Sequence, residues 1–481
     1  MPADEPEFDT GVGLYERIRE RLGWYPTADV DVLVVGGGVQ GLLALDELTD
    51  RGYAAALVSN SPLGAGQTFD WPGALAKGYL DPEPERRRAV DERWLPFTED
   101  ERVPVEGGEW YVCSTDHPYR YLPDQWDEGG YGYEELDADE VPEVYRDGSI
   151  FAKGSGEHVA KIDEYAIERE ALVRALAGDH EDRIVVGDIA EFAFTGGGHG
   201  EGDSGGSAPA VERVTVETHK DLTVEVEPDY VVAATGTGTH GFVDALIESE
   251  GFAEAGGDPA TVRASLDPVT YRNQLVLAVR GPAVDLPAVS AYLPHKGMQV
   301  VARRHRRREE NFVTWYVTND SAAEAVDPDD ATDEAMGTLD PEKVEVGYNK
   351  LFELAPDLKD RASDAELREG DSPIEFYAYA TLDQRVDGEE WPHHAEPLAG
   401  VANVGVALPA CAAGVWPALD DVVDYVGDAV DPSGSLGAVP TGGEPPYGRL
   451  ADDRPGARWL DWQALGVRYP RVQKRPDAVE R

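Results

Sequence analysis

The sequence predicts an α/β fold in which a βαβ domain is interrupted by an antiparallel sheet inserted into it. Three observations carry that reading. The short apolar run Val30 to Val35 ends on the glycine turn Gly36 to Gly38, and leucines at helical spacing follow. Segments between residues 273 and 382 alternate in polarity or are rich in aromatics, as antiparallel strands are. A last strand, turn and helix, residues 400 to 426, returns the chain to the character of its beginning.

The elements follow in order. After the first strand, Leu42, Leu45 and Leu48 predict a helix up to Gly52, and "YAAALVS" is a second strand, giving a βαβ unit of the usual length. From about 90 to 155 the chain is rich in Trp, Tyr, Pro and charge without a clear rhythm. In "KIDEYAIEREALVRALAG", Ile162, Ala166, Ile167, Leu172 and Leu176 predict a helix stopped at Gly178. "DRIVVGDIAEFAF" and "VERVTVETH" read as strands joined by the glycine-rich loop 195–209, and "PDYVVAATGTG" as a buried strand entering glycine. "NQLVLAVRG", "GMQVVAR", "NFVTWYVT" and "IEFYAYATL" supply the antiparallel set.

Composition limits the classes of function. There are 94 Asp plus Glu against 42 Lys plus Arg, a net charge of −52 spread along 481 residues. Self-repulsion of that size is relieved by salt, which predicts the cytoplasm of a halophile and argues against nucleic acid as a partner. Only Cys113 and Cys411 occur, so neither a disulfide framework nor a metal site is expected. No stretch is apolar enough to cross a membrane as a helix, so a membrane is not an expected partner either.

"GGGVQG" places Gly36, Gly38 and Gly41 at GxGxxG spacing between a strand and a helix. Here the first glycine permits the turn, the second lets a pyrophosphate approach the backbone, and the third lets helix and strand pack closely. That makes a dinucleotide site of Rossmann type, with Val39 and Gln40 in the helix mouth. "GTGTHG", residues 236–241, has the same spacing but no following strand, so a second nucleotide domain is not expected.

With these segments in view, the chain resembles the FAD-dependent oxidoreductases of the D-amino acid oxidase and glycine oxidase type. The resemblance rests on "DVLVVGGGVQGLLALDELTDRGYAAALVS", on the stretch Gly64 to Gly78, and on "YVVAATGTG". It implies FAD as cofactor, held by Gly36, Gly38, Val39, Gln40, Gly41, Gly66, Gln67, Thr68, Ala234, Thr235 and Gly236, with Ile189 at the adenine and Gly414 by the flavin. It divides the chain into an FAD-binding domain (28–92, 156–262 and 396–430), a substrate domain (93–155 and 263–395) and a tail (431–481).

Ser59 departs from the pattern, because a carboxylate usually accepts the ribose hydroxyls at this strand tip. Ser59 and Asn60 are expected to hydrogen-bond the ribose in its place. No arginine follows, so NADP has no support.

The implied reaction is oxidation of a small amine, amino acid or hydroxy acid with hydride transfer to flavin, the electrons passing to oxygen or another acceptor. A polyol-phosphate or 2-hydroxy acid dehydrogenase of the same fold, and a flavin-binding protein without turnover, are the other readings. The acceptor and the oligomeric state stay open.

Tyr377, Tyr379 and Arg385 are candidates to face the flavin or to pack the sheet. Lys77 either reaches the flavin edge or is solvated, and Cys411 reads as a small buried residue at a helix start. The cluster Arg303 to Arg308 reads as a solvated hairpin loop between two strands.

Overall fold

A computed structural model of the chain describes residues 27–60, 63, 74–75, 92–94, 105–115, 122–137, 139–146, 157–167, 169–196, 208–218, 222–293, 296–307, 310–327, 341–363, 374–386, 393–409, 414–434 and 439. The fold is the α/β one that the sequence predicts, built on two large sheets.

The chain starts with β1 (Thr27–Val35), α1 (Val39–Asp50) and β2 (Ala55–Ser59). There follow β3 (Ala74–Leu75), β4 (Val105–Thr115), α2 (Leu122–Gly129), β5 (Glu134–Glu135) and β6 (Glu157–Ile167). Next come α3 (Arg169–Gly178), β7 (Ile184–Thr195), β8 (Ala210–Thr218), β9 (Thr223–Ala233) and α4 (Thr239–Glu248). The antiparallel part holds β10 (Val269–Pro282), β11 (Ser290–Leu293), β12 (Met298–Arg307), β13 (Glu310–Asn319) and β14 (Glu324–Val326). It ends with α5 (Pro341–Leu354) and β15 (Glu375–Val386), and the chain closes through β16 (His393–Pro397), β17 (Val404–Pro409) and α6 (Val415–Ala429).

In the first sheet β7, β2, β1, β9 and β17 pair in parallel in that spatial order. In chain order this is 3-2-1-4-5, the doubly wound arrangement, and the order reverses between β1 and β9. The outer parts of β7 and β9 are joined by β8, antiparallel to both. On one face α1, α3 and α6 bury Leu42, Leu45, Leu172, Leu176, Leu419 and Val422 against Val32, Val34 and Leu57. On the other, Phe242 and Leu246 of α4 cover Leu33, Val231 and Val406. These strands are apolar on both faces because both are covered.

Asp31, 5% exposed, ties this core to the chain beyond α6. Its carboxylate accepts from the Ala54 and Ser433 N–H groups, each at 2.8 Å.

The second sheet contains β10, β13, β12, β11, β4, β6 and β3 in sequence across it, with β15 on the other side of β10. One face is covered by α5, whose Val344, Tyr348 and Leu351 pack on Leu275, Leu277 and Trp315. The opposite face carries Val276, Ala278, Val301 and Tyr316, capped by Leu122 and Trp126 of α2.

Three expectations change. Residues 157–167 are a strand of the second sheet, paired with β4 from Glu157 to Ile167, so they are neither helical nor in the sheet of the βαβ unit. Ile162 and Ala166 are four residues apart, an even spacing that fits one face of a strand as well as a helix, and the long pairing with β4 decides between them. The helix starts only at Arg169.

The segment from 90 to 155, without visible rhythm, contributes β4, an interior strand of the second sheet, and α2. The arginine cluster is not a loop. Arg303 to Arg307 lie in β12, each paired with a residue of β13, and Arg303 is only 8% exposed. The long arginine stem covers sheet surface while the backbone bonds stay in the ladder. Arg308 and Cys411 lie outside the described residues.

Candidate functional site

The site forms where the strand order reverses, at the carboxyl ends of β1 and β9, the place where open α/β sheets bind ligands. The backbone there is tightly closed. Gly36 donates its N–H to Val58 O at 2.8 Å, and Ala234 donates to Val35 O at 2.8 Å. Gly36 has φ +117°, and a β-carbon on it would fall 2.3 Å from the Ala234 carbonyl oxygen. On Gly41 a β-carbon would stand 1.9 Å from Gly36 O. Both glycines are therefore demanded by packing within the protein.

Gly38 differs. A β-carbon there would meet nothing within 4 Å. It is the N-cap of α1, has no side-chain cap, and no acidic residue stands in the first turn of that helix. The first N–H groups of a helix are orphaned donors at its positive end, so open space over Gly38 suits an anion such as a pyrophosphate. Beside it Gln40, 6% exposed, has neither atom of its amide hydrogen-bonded. Val39 is buried in the core below.

At the tip of β2, Ser59 is 2% exposed and Asn60 is exposed. Ser59 Oγ lies 2.5 Å from where a β-carbon on Gly37 would be, so the small serine sits directly beneath the turn. Ser59 is paired with Val186 of β7. Three residues further on, Ile189 marks a β-bulge, which re-aims the chain just past the strand tip.

Ala234 and Thr235 follow β9 into a short 3-10 turn, Gly236–Gly238. Thr239 holds that turn by donating to Gly236 O at 2.7 Å, and the Thr235 and Thr239 hydroxyls are 2.9 Å apart. Gly414 is the buried N-cap of α6, whose helix packs beside α1.

The structure therefore brings Gly36, Gly38, Val39, Gln40, Gly41, Ser59, Asn60, Ala234, Thr235 and Gly236 to one edge of the sheet. Ile189 and Gly414 lie on neighbouring elements. Gly66, Gln67, Thr68 and Lys77 are outside the described residues.

The catalytic candidates are dispersed. Tyr379 stands opposite Val276 and Arg385 opposite Thr270 in the β15–β10 ladder. Six residues of strand set their backbones about 20 Å apart. Arg385 is partly buried near the end of β15, a strand that runs beside the 236–238 turn.

Two further features of the structure were not legible in the sequence. His240 Nδ1 and the Tyr271 hydroxyl are 2.8 Å apart, with the rings edge to face, joining α4 to the start of β10. Burial pushes the Tyr271 phenol well above its ordinary range, so it stays neutral. Nothing in the spacing of these residues predicts the pair, because 31 positions separate them. Glu164, fully buried on β6 opposite Gly108, is the second such feature, hidden by the helical reading of its segment.

Among the described residues, no helix is long and apolar enough to cross a membrane.

No protein-family model matches the sequence. Solved structures do share the fold. An FAD-dependent oxidoreductase from Pseudomonas aeruginosa superimposes with a TM-score of 0.56 at 17% identity, over 90% of this chain and 99% of that one. Glycine oxidase from Bacillus cereus gives 0.53 at 16% identity, over 85% and 98%. L-α-Glycerophosphate oxidase from Mycoplasma pneumoniae, solved with FAD bound, gives 0.56 at 14% identity, over 86% and 97%. The likeness runs through both sheets and establishes a common fold.

Proposed function

We propose that the chain is an FAD-dependent oxidoreductase that oxidises a small amine, amino acid or hydroxy acid. The observation that carries this reading is the open space over Gly38 at the point where strand order reverses. The fold shared with FAD-dependent enzymes over most of the chain supports it.

The residues present fit the cofactor. Gly36, Gly38 and the N–H groups at the start of α1 would hold the pyrophosphate, with Val39, Gln40 and Gly41 shaping the helix mouth and the Gln40 amide still lacking a partner. Ser59 and Asn60 would hydrogen-bond the ribose, and the Ile189 backbone would meet the adenine. Ala234, Thr235, Gly236 and Gly414 would border the rest, together with Gly66, Gln67 and Thr68. When bound, FAD supplies the hydride-accepting chemistry, which the twenty side chains lack.

The seven strands around β1 form the cofactor domain in this reading, and the sheet of β10 forms the substrate domain. Tyr379 and Arg385 remain candidates to meet a small substrate, and Lys77 remains a candidate at the flavin edge. The charge of −52 supports work in a salt-rich cytoplasm.

The test is direct. The protein, purified in molar salt, is expected to carry a flavin absorption band or to acquire one on addition of FAD. Anaerobic bleaching by a panel of amines, amino acids and hydroxy acids then identifies the substrate class, and the rate of reoxidation in air separates oxidase from dehydrogenase. Absence of flavin binding under all these conditions sinks the proposal.

A further inference from the structure

Gln40 is an amide sealed into the protein with nothing to bond. It is 6% exposed, and neither Oε1 nor Nε2 has a hydrogen-bond partner among the described residues. A buried amide left this way costs the folded chain stability, and an apolar side chain of the same size avoids that cost. The position lies in the first turn of α1, where leucine and glutamine have nearly equal helix propensities, so local structure does not ask for the amide either.

The direction in which Gln40 faces follows from the rest of α1. Residues seven apart on a helix share a face to within about 20°. Val39 shares its face with Asp46, whose carboxylate meets His180 Nε2 at 2.8 Å just beyond the end of α3. Gln40 shares its face with Glu47, which reaches Arg93 Nη2 at 3.7 Å. Arg93 in turn pairs with Asp420 of α6 and lies over the Trp416 ring of the same helix, 4.6 Å from its centroid. Neighbouring residues of α1 therefore look to opposite sides of the site, Val39 toward α3 and Gln40 toward α6. About two turns of helix carry Gln40 back from Glu47 to the strand ends, beside the open space over Gly38.

Chemistry narrows what fits there. An oxyanion takes the Nε2 donor but offers Oε1 no proton, so a phosphate alone leaves half of the amide unsatisfied. Hydroxyls donate and accept, and two neighbouring ones satisfy both atoms. In FAD the pyrophosphate is flanked by the adenosine ribose on one side and by the ribityl chain, a run of hydroxyls, on the other. With adenosine over β2 and β7 and the flavin toward Gly414, the hydroxyls on the Gln40 side are those of the ribityl chain.

We propose that Gln40 is a positioning residue for the ribityl chain of FAD, its Nε2 donating to one hydroxyl and its Oε1 accepting from another. That assignment rests on the oxidoreductase reading of the site. It carries a consequence for the protein without cofactor, which holds an unsatisfied buried amide that flavin binding relieves. Gln40 thereby distinguishes complete FAD from ADP, which ends at the pyrophosphate.

The experiment is calorimetric titration of the full chain, freed of cofactor, with FAD, with ADP and with an FAD analogue that has a plain alkyl chain in place of the ribityl. Wild type is compared with Gln40→Leu and Gln40→Met. Both variants are expected to bind FAD about tenfold more weakly than wild type, the worth of one or two neutral hydrogen bonds, and to bind ADP and the alkyl analogue as wild type does. Thermal melts without cofactor are expected to show both variants more stable than wild type, because the unsatisfied amide is gone. Methionine is unbranched like glutamine, so a packing fault peculiar to leucine appears as a difference between the two variants.

Unchanged FAD affinity in both variants overturns the proposal. Equal losses for FAD and ADP overturn it too and assign the amide to the pyrophosphate, as do equal losses for FAD and the alkyl analogue. Lower stability of both variants without cofactor contradicts an amide that is unsatisfied until FAD binds. A wild-type chain that binds no FAD overturns the oxidoreductase reading and the role of Gln40 with it, whereas normal binding by wild type confines any failure to Gln40.

Discussion

Gly36 and Ala234 touch across the carboxyl ends of two parallel strands: the Ala234 carbonyl oxygen lies 2.3 Å from where a Gly36 side chain would begin. The contact locks the turn from the protein side. Gly38, two residues later, is locked by nothing, and this difference between neighbouring glycines separates folding from binding.

Gly38→Ala is expected to leave the thermal midpoint of the cofactor-free protein nearly unchanged and to weaken FAD binding by about tenfold or more. The added methyl occupies the space left for the ligand, and one lost charge-assisted hydrogen bond already accounts for such a factor. Gly36→Ala and Gly41→Ala are expected to destabilise the protein before any cofactor is added, since their β-carbons collide with backbone. Thermal melts with and without FAD check both. Equal damage to cofactor-free stability by all three substitutions would refute the distinction.

Ser59→Ala is expected to weaken FAD about fivefold, the worth of one neutral hydrogen bond near 1 kcal/mol. Ser59→Glu, which installs the usual carboxylate, is expected to destabilise the fold and not to tighten FAD. The site beneath Gly37 is 2% exposed and accommodates a serine hydroxyl at close contact. Fluorescence titration of FAD against both variants decides, and tighter binding by Ser59→Glu would count against this account.

Buried tyrosines set an alkaline limit to stability. Burial pushes the Tyr230 phenol up to about 12, and Tyr111, buried and bonded to Glu109, also rises to about 12. A pKa raised in the folded state contributes stability that is complete below the unfolded value of 10.0 and is lost as pH climbs toward 12. Folding stability is expected to be flat up to pH 10 and to fall above it. Tyr230→Phe should flatten part of that fall, by about 3 kcal/mol at most. Chemical denaturation at a series of pH values checks it, and an unchanged alkaline slope in the variant would contradict the assignment.

Salt is expected to stabilise the protein strongly. With a net charge of −52, repulsion is long-ranged in dilute buffer, while at 1 M salt the screening length is about 3 Å. The thermal midpoint should climb steeply between 0.1 and 1 M KCl, both roughly chosen to span that screening range, and level off beyond. A midpoint independent of salt would remove the argument for a salt-rich compartment.

The cofactor turn was legible because its constraints are local. Gly36, Gly38 and Gly41 are required within one tight turn, and the apolar strand and leucine helix on either side repeat with clear periods. Strand β6 was not legible, because Ile162 and Ala166 satisfy both periods and only pairing with β4 resolves them. Arg303 misled for a similar reason: charge suggested solvent, whereas the ladder with Thr314 carries the residue into the sheet.

By itself the sequence determined the α/β class, the glycine turn that makes a helix N-terminus available, and the antiparallel character of the second sheet. These follow from backbone sterics and side-chain periodicity over a few residues. Only the tertiary structure decided that Ser59 lies under Gly37, that Tyr271 meets His240, and that Arg303 and Arg280 share a row with Thr314. Such neighbours are set by strand order and register, and register depends on which distant faces bury each other, a quantity no local pattern contains.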